Sequence, residues 1–158
     1  MEIEAAAWVE GLPEAESLAR DAAFAALAIR TAPGAVVILL TDDDSVQDLN
    51  NRFRGKDAPT NVLAFPSPAG PRGYLGDIAV AFGVCDREAR DQAKPLADHL
   101  SHLVIHGVLH LMGYDHEDDA QAEVMESIER KLLAGMGVPD PYRPGPDLGV
   151  ARDALHHG

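Results

Sequence analysis

A run of apolar residues between positions 96 and 112 is the feature that most restricts the fold of this chain. Its apolar residues lie almost all round the helix, which is typical of a buried helix. Histidines interrupt the run at positions 99, 102, 106 and 110. Because an unpaired buried polar group costs on the order of a few kcal/mol, each ring needs a partner. The sequence therefore predicts a central helix, opened by Pro95, whose surroundings supply polar groups.

The remaining patterns predict a small α+β domain around that helix. Residues 2–8 can form a short strand, and an amphipathic helix is expected from about residue 13 to residue 32. Further strands are expected at 35–41, which is continuously apolar and therefore buried, at 61–65 and at 74–82. Further helices are expected after an N-cap at Asp44-Ser45, at 84–93 and at 117–136. This order predicts an α+β fold with a small mixed sheet and flanking helices. Residues 1–142 would form a single domain, followed by a loosely ordered tail at 143–158.

Composition limits the functional classes. The 158 residues include 26 acidic and 13 basic side chains, for a net charge of −13, which weighs against nucleic acid as a partner. The basic residues are unevenly spread, however. Arg52, Arg54 and Lys56 lie close together in the sequence, so a local basic patch on an acidic protein stays an alternative. No apolar run approaches the ~20 residues of a membrane span. The acidic N-terminus and the lone Cys85, expected to be buried, favour a cytoplasmic protein.

The stretch HGVLHLMGYDH, residues 106 to 116, carries the spacing of a metal site. His106 and His110 lie one helical turn apart and can converge on one ion. Gly113 can adopt the left-handed conformation that reverses the chain, which would bring His116 toward the first two rings. Three imidazoles and one open position are the arrangement of a catalytic zinc site. The alternative from the residues alone is a pair of hydrogen-bonded core histidines and a surface loop histidine.

The same stretch, preceded by RGKDAPTNVLAFP and LGDI, resembles the YbeY endoribonucleases, which are ribosomal RNA maturation factors. The resemblance runs from about Leu49 to Tyr142. It implies a metalloprotease-like fold that binds one Zn²⁺ through His106, His110 and His116. The implied activity is hydrolysis of single-stranded RNA in 16S rRNA 3′-end maturation and ribosome quality control. The implied partners are single-stranded rRNA and small-subunit assembly intermediates with their associated proteins.

Gly107 separates this motif from that of a zinc protease. A metzincin carries its catalytic Glu at this position, and glycine offers no base. Zinc still lowers the pKa of a bound water molecule toward ~7. Cleavage of a phosphodiester also requires that negative charge on the phosphate oxygens be neutralised, and the planar guanidinium of arginine is suited to this. From the residues alone Arg54 is an exposed loop arginine, but the resemblance implies that it is catalytic. Arg52 and Lys56 are candidates for substrate binding.

Two other functions stay open at this stage. A zinc peptidase could draw its base from elsewhere, for example from Asp115, which could equally orient a metal ligand. A non-catalytic assembly factor could use zinc only to hold its fold. Asp77, set among apolar residues, is expected to be a hydrogen-bonded acid between strands. The identity of the metal is also open, because three imidazoles bind nickel and copper well.

Overall fold

In a computed structural model, residues 2–3, 6–29, 34–56, 58, 60–67, 73–114 and 117–142 are described. These residues form the strands β1 (Glu2–Ile3), β2 (Ala35–Thr41), β3 (Val62–Pro66) and β4 (Tyr74–Ala81). The helices are α1 (Ala6–Gly11), α2 (Ala15–Leu27), α3 (Asp43–Arg54), α4 (Phe82–Asp91), α5 (Leu96–Leu111) and α6 (Asp119–Gly135). None of the helices in these ranges is long and apolar enough to cross a membrane.

The strands form one mixed sheet in the order β1-β2-β4-β3. Both β1 and β4 run parallel to β2, whereas β3 pairs with β4 in the antiparallel direction and lies at the edge. Alternate residues of β3 and β4 enter two separate apolar clusters, as the period of a strand requires. The larger cluster includes α5, and the smaller one includes Val46 of α3. The predicted α+β class, with helices flanking a mixed sheet, is confirmed.

Helix α5 is the centre of the molecule. Its predicted span, 96 to 112, agrees with the observed Leu96–Leu111, and Pro95 is its N-cap residue. The residues from His99 to Leu109 are all buried, as the nearly all-round apolar character of the run predicts. The helix packs on the sheet so closely at Gly107 that an added Cβ would lie 3.2 Å from Ile78 Cδ1. This contact fixes which side of α5 faces the sheet.

The prediction for the N-terminus is wrong in its extent. Among the described residues of this segment, only Glu2–Ile3 pair with β2, and α1 occupies Ala6–Gly11, which the sequence predicts as part of the strand. The reason is the packing of Trp8 against the rest of the fold. Trp8 is fully buried, and its indole N–H donates to the carbonyls of Thr41 at 3.0 Å and Val80 at 3.3 Å. A helical turn carries this ring into the core beyond the ends of the two strands.

Three other boundaries differ from the sequence-based expectation. Helix α2 ends at Leu27 rather than near residue 32, and Ile29 is 40% exposed, so no burial supports a further turn. The cap of α3 is Asp42 rather than Asp44-Ser45, because the Asp42 carboxylate accepts the backbone N–H of Ser45 at 2.7 Å. Strand β2 is buried only in its second half, and Val37 is 38% exposed. The predicted tail at 143–158 lies outside the described residues, so the division of the chain at residue 142 stays a prediction.

Candidate metal centre

His106 and His110 face each other on successive turns of α5. Their Nε2 atoms lie 3.2 Å apart, and their ring planes are inclined by 83°. Two nitrogens bound to one tetrahedral zinc at ~2.0–2.1 Å are about 3.4 Å from each other. The two rings therefore already have nearly the spacing that one zinc ion requires. His106 is buried and His110 is partly exposed, so the pair lies where α5 reaches the surface.

A buried carboxylate lies behind this pair. Oε2 of Glu129, on α6, is 2.8 Å from Nδ1 of His106, and Oε1 is 2.7 Å from Nε2 of His102. The hydroxyl of Tyr142 also donates to Oε1. Glu129 is fully buried, His102 is 1% exposed and Tyr142 is 9% exposed. One carboxylate thus joins two histidines of α5 to a tyrosine beyond the end of α6.

Burial and hydrogen bonding act in opposite directions on this network. Burial alone would raise the pKa of Glu129, but the hydrogen bonds with His102 and His106 hold that pKa below its usual value. Burial lowers the pKa of His102 to about 4, against the opposing effect of Glu129. Burial, together with the charge of Glu129, raises the pKa of the Tyr142 phenol. At neutral pH Glu129 is therefore a carboxylate, and His102 and Tyr142 are neutral donors to it.

The third predicted ligand, His116, and the neighbouring Asp115 lie outside the described residues. Gly113 does adopt a positive φ of +101°, as the predicted chain reversal requires. Within the described ranges, no group of three His, Cys, Asp or Glu side chains is placed to hold a metal ion. The set His106, His110 and His116 therefore stays a prediction, supported by the spacing of its first two members.

His99 belongs to a separate carboxylate pair. Its Nε2 atom lies 2.9 Å from Oε1 of Glu88, on α4, and the amide of Asn61 donates to the same oxygen at 3.0 Å. Among the described residues, the Nδ1 atoms of His99 and His102 are buried with no hydrogen-bond partner. Both rings are thus core residues with carboxylate partners, as their positions on a buried helix predict.

The sequence-based reasoning did not identify Glu88 and Glu129 as those partners. A signal for Glu129 was present, because it shares the apolar face of α6 with Met125 and Leu133. An acid on a buried face needs a donor, and the histidines of α5 needed acceptors.

Arg54 lies at the free edge of the sheet. It ends α3, and its Nη2 atom donates to the carbonyl of Ala64 in β3 at 3.0 Å. Ala64 itself packs against the apolar cluster that contains α5. The exposed guanidinium is therefore anchored to the strand that borders α5, on the edge that carries no other strand within the described residues.

The other residues that the sequence singles out near Arg54 differ in the contacts that they form. Arg52 is exposed and forms an ion pair with Asp48 at 3.6 Å, one turn earlier in α3. Lys56 is exposed, and its backbone N–H closes the end of the helix on Asn50. Asp77 is an exposed strand residue that accepts the hydroxyl of Tyr74. The acid is hydrogen-bonded, as predicted, but its partner lies on the same strand, β4, rather than on another strand.

Cys85 is buried and free, and burial raises the pKa of its thiol. It therefore has the character of a core residue rather than a nucleophile, as expected.

Comparisons with known proteins cover most of the chain. The family model described as "Endoribonuclease YbeY" matches residues 8–137. A protein of Paramagnetospirillum magneticum named Endoribonuclease YbeY is 49% identical over 154 residues, which is 90% of this chain and 93% of the relative. One of Rhodopseudomonas palustris with the same name is 51% identical over 77% of this chain and 68% of the relative. The solution structure of TM1509 from Thermotoga maritima matches with a TM-score of 0.53 at 27% identity, over 92% of this chain and 97% of that one.

Proposed function

The chain belongs to the YbeY endoribonuclease family, as its motifs predicted, and we propose that it is a zinc-dependent hydrolase of single-stranded ribosomal RNA. The observation that carries the zinc dependence is the 3.2 Å separation of the Nε2 atoms of His106 and His110. Two imidazoles on adjacent turns, backed by a buried carboxylate, are the donor set that zinc prefers. His116 completes the set in this proposal.

Zinc, when bound, would supply the Lewis acidity that brings the pKa of a water molecule toward ~7. Position 107 would contribute nothing to proton transfer, because Gly107 faces Ile78 in the core rather than an open site. This orientation disfavours a peptidase that uses a base at the usual place. A phosphodiester places a different demand on the protein, since negative charge on the phosphate oxygens must be neutralised.

Arg54 meets that demand in our proposal. Its guanidinium has five N–H donors, and the hydrogen bond to the Ala64 carbonyl uses only part of that capacity. The anchor restricts the side chain at the edge of β3 and leaves the group exposed to an incoming phosphate. Arg52 and Lys56 would extend the phosphate contacts along the backbone of a single strand, with Arg52 partly neutralised by Asp48.

The cellular role proposed here comes from the family. We assign the chain to 16S rRNA 3′-end maturation and ribosome quality control in the cytoplasm, acting on small-subunit assembly intermediates and their associated proteins. The net charge of −13 makes the basic residues around Arg54 the natural point of contact with RNA. The acidic remainder would oppose binding of RNA elsewhere and so favour one orientation of the substrate.

One preparation tests these assignments together. Its zinc content is measured, and cleavage of a single-stranded RNA is followed before chelation, after chelation and after zinc is restored. We expect one zinc per chain and cleavage that disappears and returns with the metal. Zinc-dependent cleavage of peptides instead would support a peptidase. Binding of small-subunit particles by a zinc-loaded protein that cleaves no RNA would support a non-catalytic assembly factor.

A further inference from the structure

We infer that Glu129 is the positioning residue of the candidate metal centre, because it holds the His106 ring with Nε2 directed toward His110, the other histidine of α5 that would bind the metal. The inference rests on the proposed zinc site and adds a residue of α6 that lies outside the histidine motif. The contact that carries it is the 2.8 Å hydrogen bond between Nδ1 of His106 and Oε2 of Glu129.

The chemistry of this hydrogen bond decides which nitrogen of His106 carries the proton. A carboxylate only accepts hydrogen bonds, so Nδ1 must be the donor. In a neutral imidazole the other nitrogen then presents its lone pair. That atom is Nε2, which lies 3.2 Å from Nε2 of His110. Glu129 thus selects both the tautomer and the orientation that a metal ligand needs.

The second oxygen of Glu129 holds the carboxylate in place. Oε1 receives the Nε2–H of His102 at 2.7 Å and the hydroxyl of Tyr142. With donors on both oxygens and no exposed surface, the group is fixed on two sides. His102 and Tyr142 therefore support the metal centre through Glu129 without binding the metal.

The alternative is that Glu129 only compensates two buried histidines. The chain provides a control for this alternative in Glu88, which pairs with His99 at 2.9 Å on the same helix α5. Both pairs join a carboxylate to a buried imidazole, but His99 is three turns from the end of α5 and is no candidate ligand. A purely structural role predicts the same consequences when either carboxylate is changed to an amide.

The test compares zinc affinity and protonation of the rings in the full-length protein. The zinc Kd of wild type, Glu129→Gln and Glu88→Gln is measured by competition with a chromophoric chelator. A glutamine has one acceptor oxygen and cannot serve His106 together with His102 and Tyr142. We expect the Kd of Glu129→Gln to rise about 10–100-fold and that of Glu88→Gln to remain at the wild-type value.

A second measurement requires no variant. Imidazole ¹⁵N shifts of the zinc-free wild-type protein report which nitrogen of His106 is protonated, and we expect Nδ1–H. An Nε2–H tautomer would overturn the inference, as would an unchanged zinc Kd in a folded Glu129→Gln protein. If that variant does not fold, the tautomer measurement decides. Wild-type protein that takes up no zinc would instead refute the proposed zinc site, and this inference with it.

Discussion

Gly107 packs directly against Ile78: an added Cβ would lie 3.2 Å from both Cδ1 and Cγ2 of that isoleucine. The residue after the first histidine of the motif therefore faces the sheet. A carboxylate at this position would be buried in an apolar cluster without a partner.

Restoring the protease residue should consequently damage the fold without creating a peptidase. We expect Gly107→Glu to lower the free energy of unfolding by about 4 kcal/mol, because it buries an unpaired charge in a packed core. Urea unfolding measures the change. Gly135→Glu, at an exposed glycine with no atom within 4 Å of an added Cβ, is the control and should cost less than about 1 kcal/mol. Peptidase activity in a stable Gly107→Glu protein would contradict this interpretation.

The proposed metal ligands make a stoichiometric prediction. Wild-type protein should retain one zinc per chain, and the combined His106→Ala, His110→Ala and His116→Ala variant should retain none. Elemental analysis after gel filtration measures both. His99→Gln is the matched control on the same helix, since its ring pairs with Glu88 instead. A full equivalent of zinc in the triple variant would remove these residues from the site.

Arg54 should affect the rate of RNA cleavage rather than folding or zinc content. Loss of one preorganised charge donor costs about 10²–10³ in rate, so Arg54→Ala should slow cleavage of single-stranded RNA by that factor. Arg54→Lys should recover only part, because a point charge does not reproduce the planar fork. Arg20→Ala, which removes an exposed arginine paired with Glu16 on α2, is the control at matched salt. Equal rates for Arg54→Ala and wild type would exclude Arg54 from the mechanism.

The turn after α5 should be sensitive to the residue at Gly113. Its φ of +101° is unfavourable for any residue with a Cβ, although no neighbouring atom of the described ranges lies within 4 Å of an added Cβ. We expect Gly113→Ala to cost about 1–3 kcal/mol of backbone strain and to weaken zinc binding, because the turn leads to His116. Gly135→Ala, where φ is ordinary, should instead be neutral or slightly stabilising. Equal effects of the two substitutions on unfolding would show that Gly113 is not required for the reversal.

Acid should destabilise the zinc-free protein between pH 6.5 and about pH 4. Burial lowers the pKa of both His99 and His102, the latter to about 4. Below pH 6.5 the unfolded chain binds protons that the folded protein does not, so the free energy of unfolding falls as the pH falls. Each such histidine contributes about 1.4 kcal/mol per pH unit within its window. Urea unfolding at pH 7 and pH 5 measures the slope, and His99→Gln should reduce it; identical slopes would contradict burial of a neutral ring.

Local patterns predicted the elements that bear the site, but not the contacts between them. The apolar run at 96–112 and the strand at 74–82 were placed to within a residue of α5 and β4, because both patterns are long and regular. The partner of His106 was not identified, since Glu129 is 23 residues away and only the docking of α6 on α5 brings them together. The sequence predicts Arg54 in a loop, whereas it ends α3 and reaches the carbonyl of Ala64. Such distant pairings depend on how layers pack, and no local periodicity encodes them.

The position of Trp8 has a practical consequence. It is the chain's single tryptophan, fully buried, edge-on to Phe82 at 5.1 Å between ring centroids, and bonded to backbone carbonyls at the ends of β2 and β4. The environment of this indole therefore depends on the packing of α1, the sheet and α4 together. Unfolding transfers that ring from a dry, rigid environment into water, which shifts tryptophan emission to longer wavelength. The molecule thus carries an intrinsic fluorophore at the junction of its layers, and its denaturation curves can be recorded without any label.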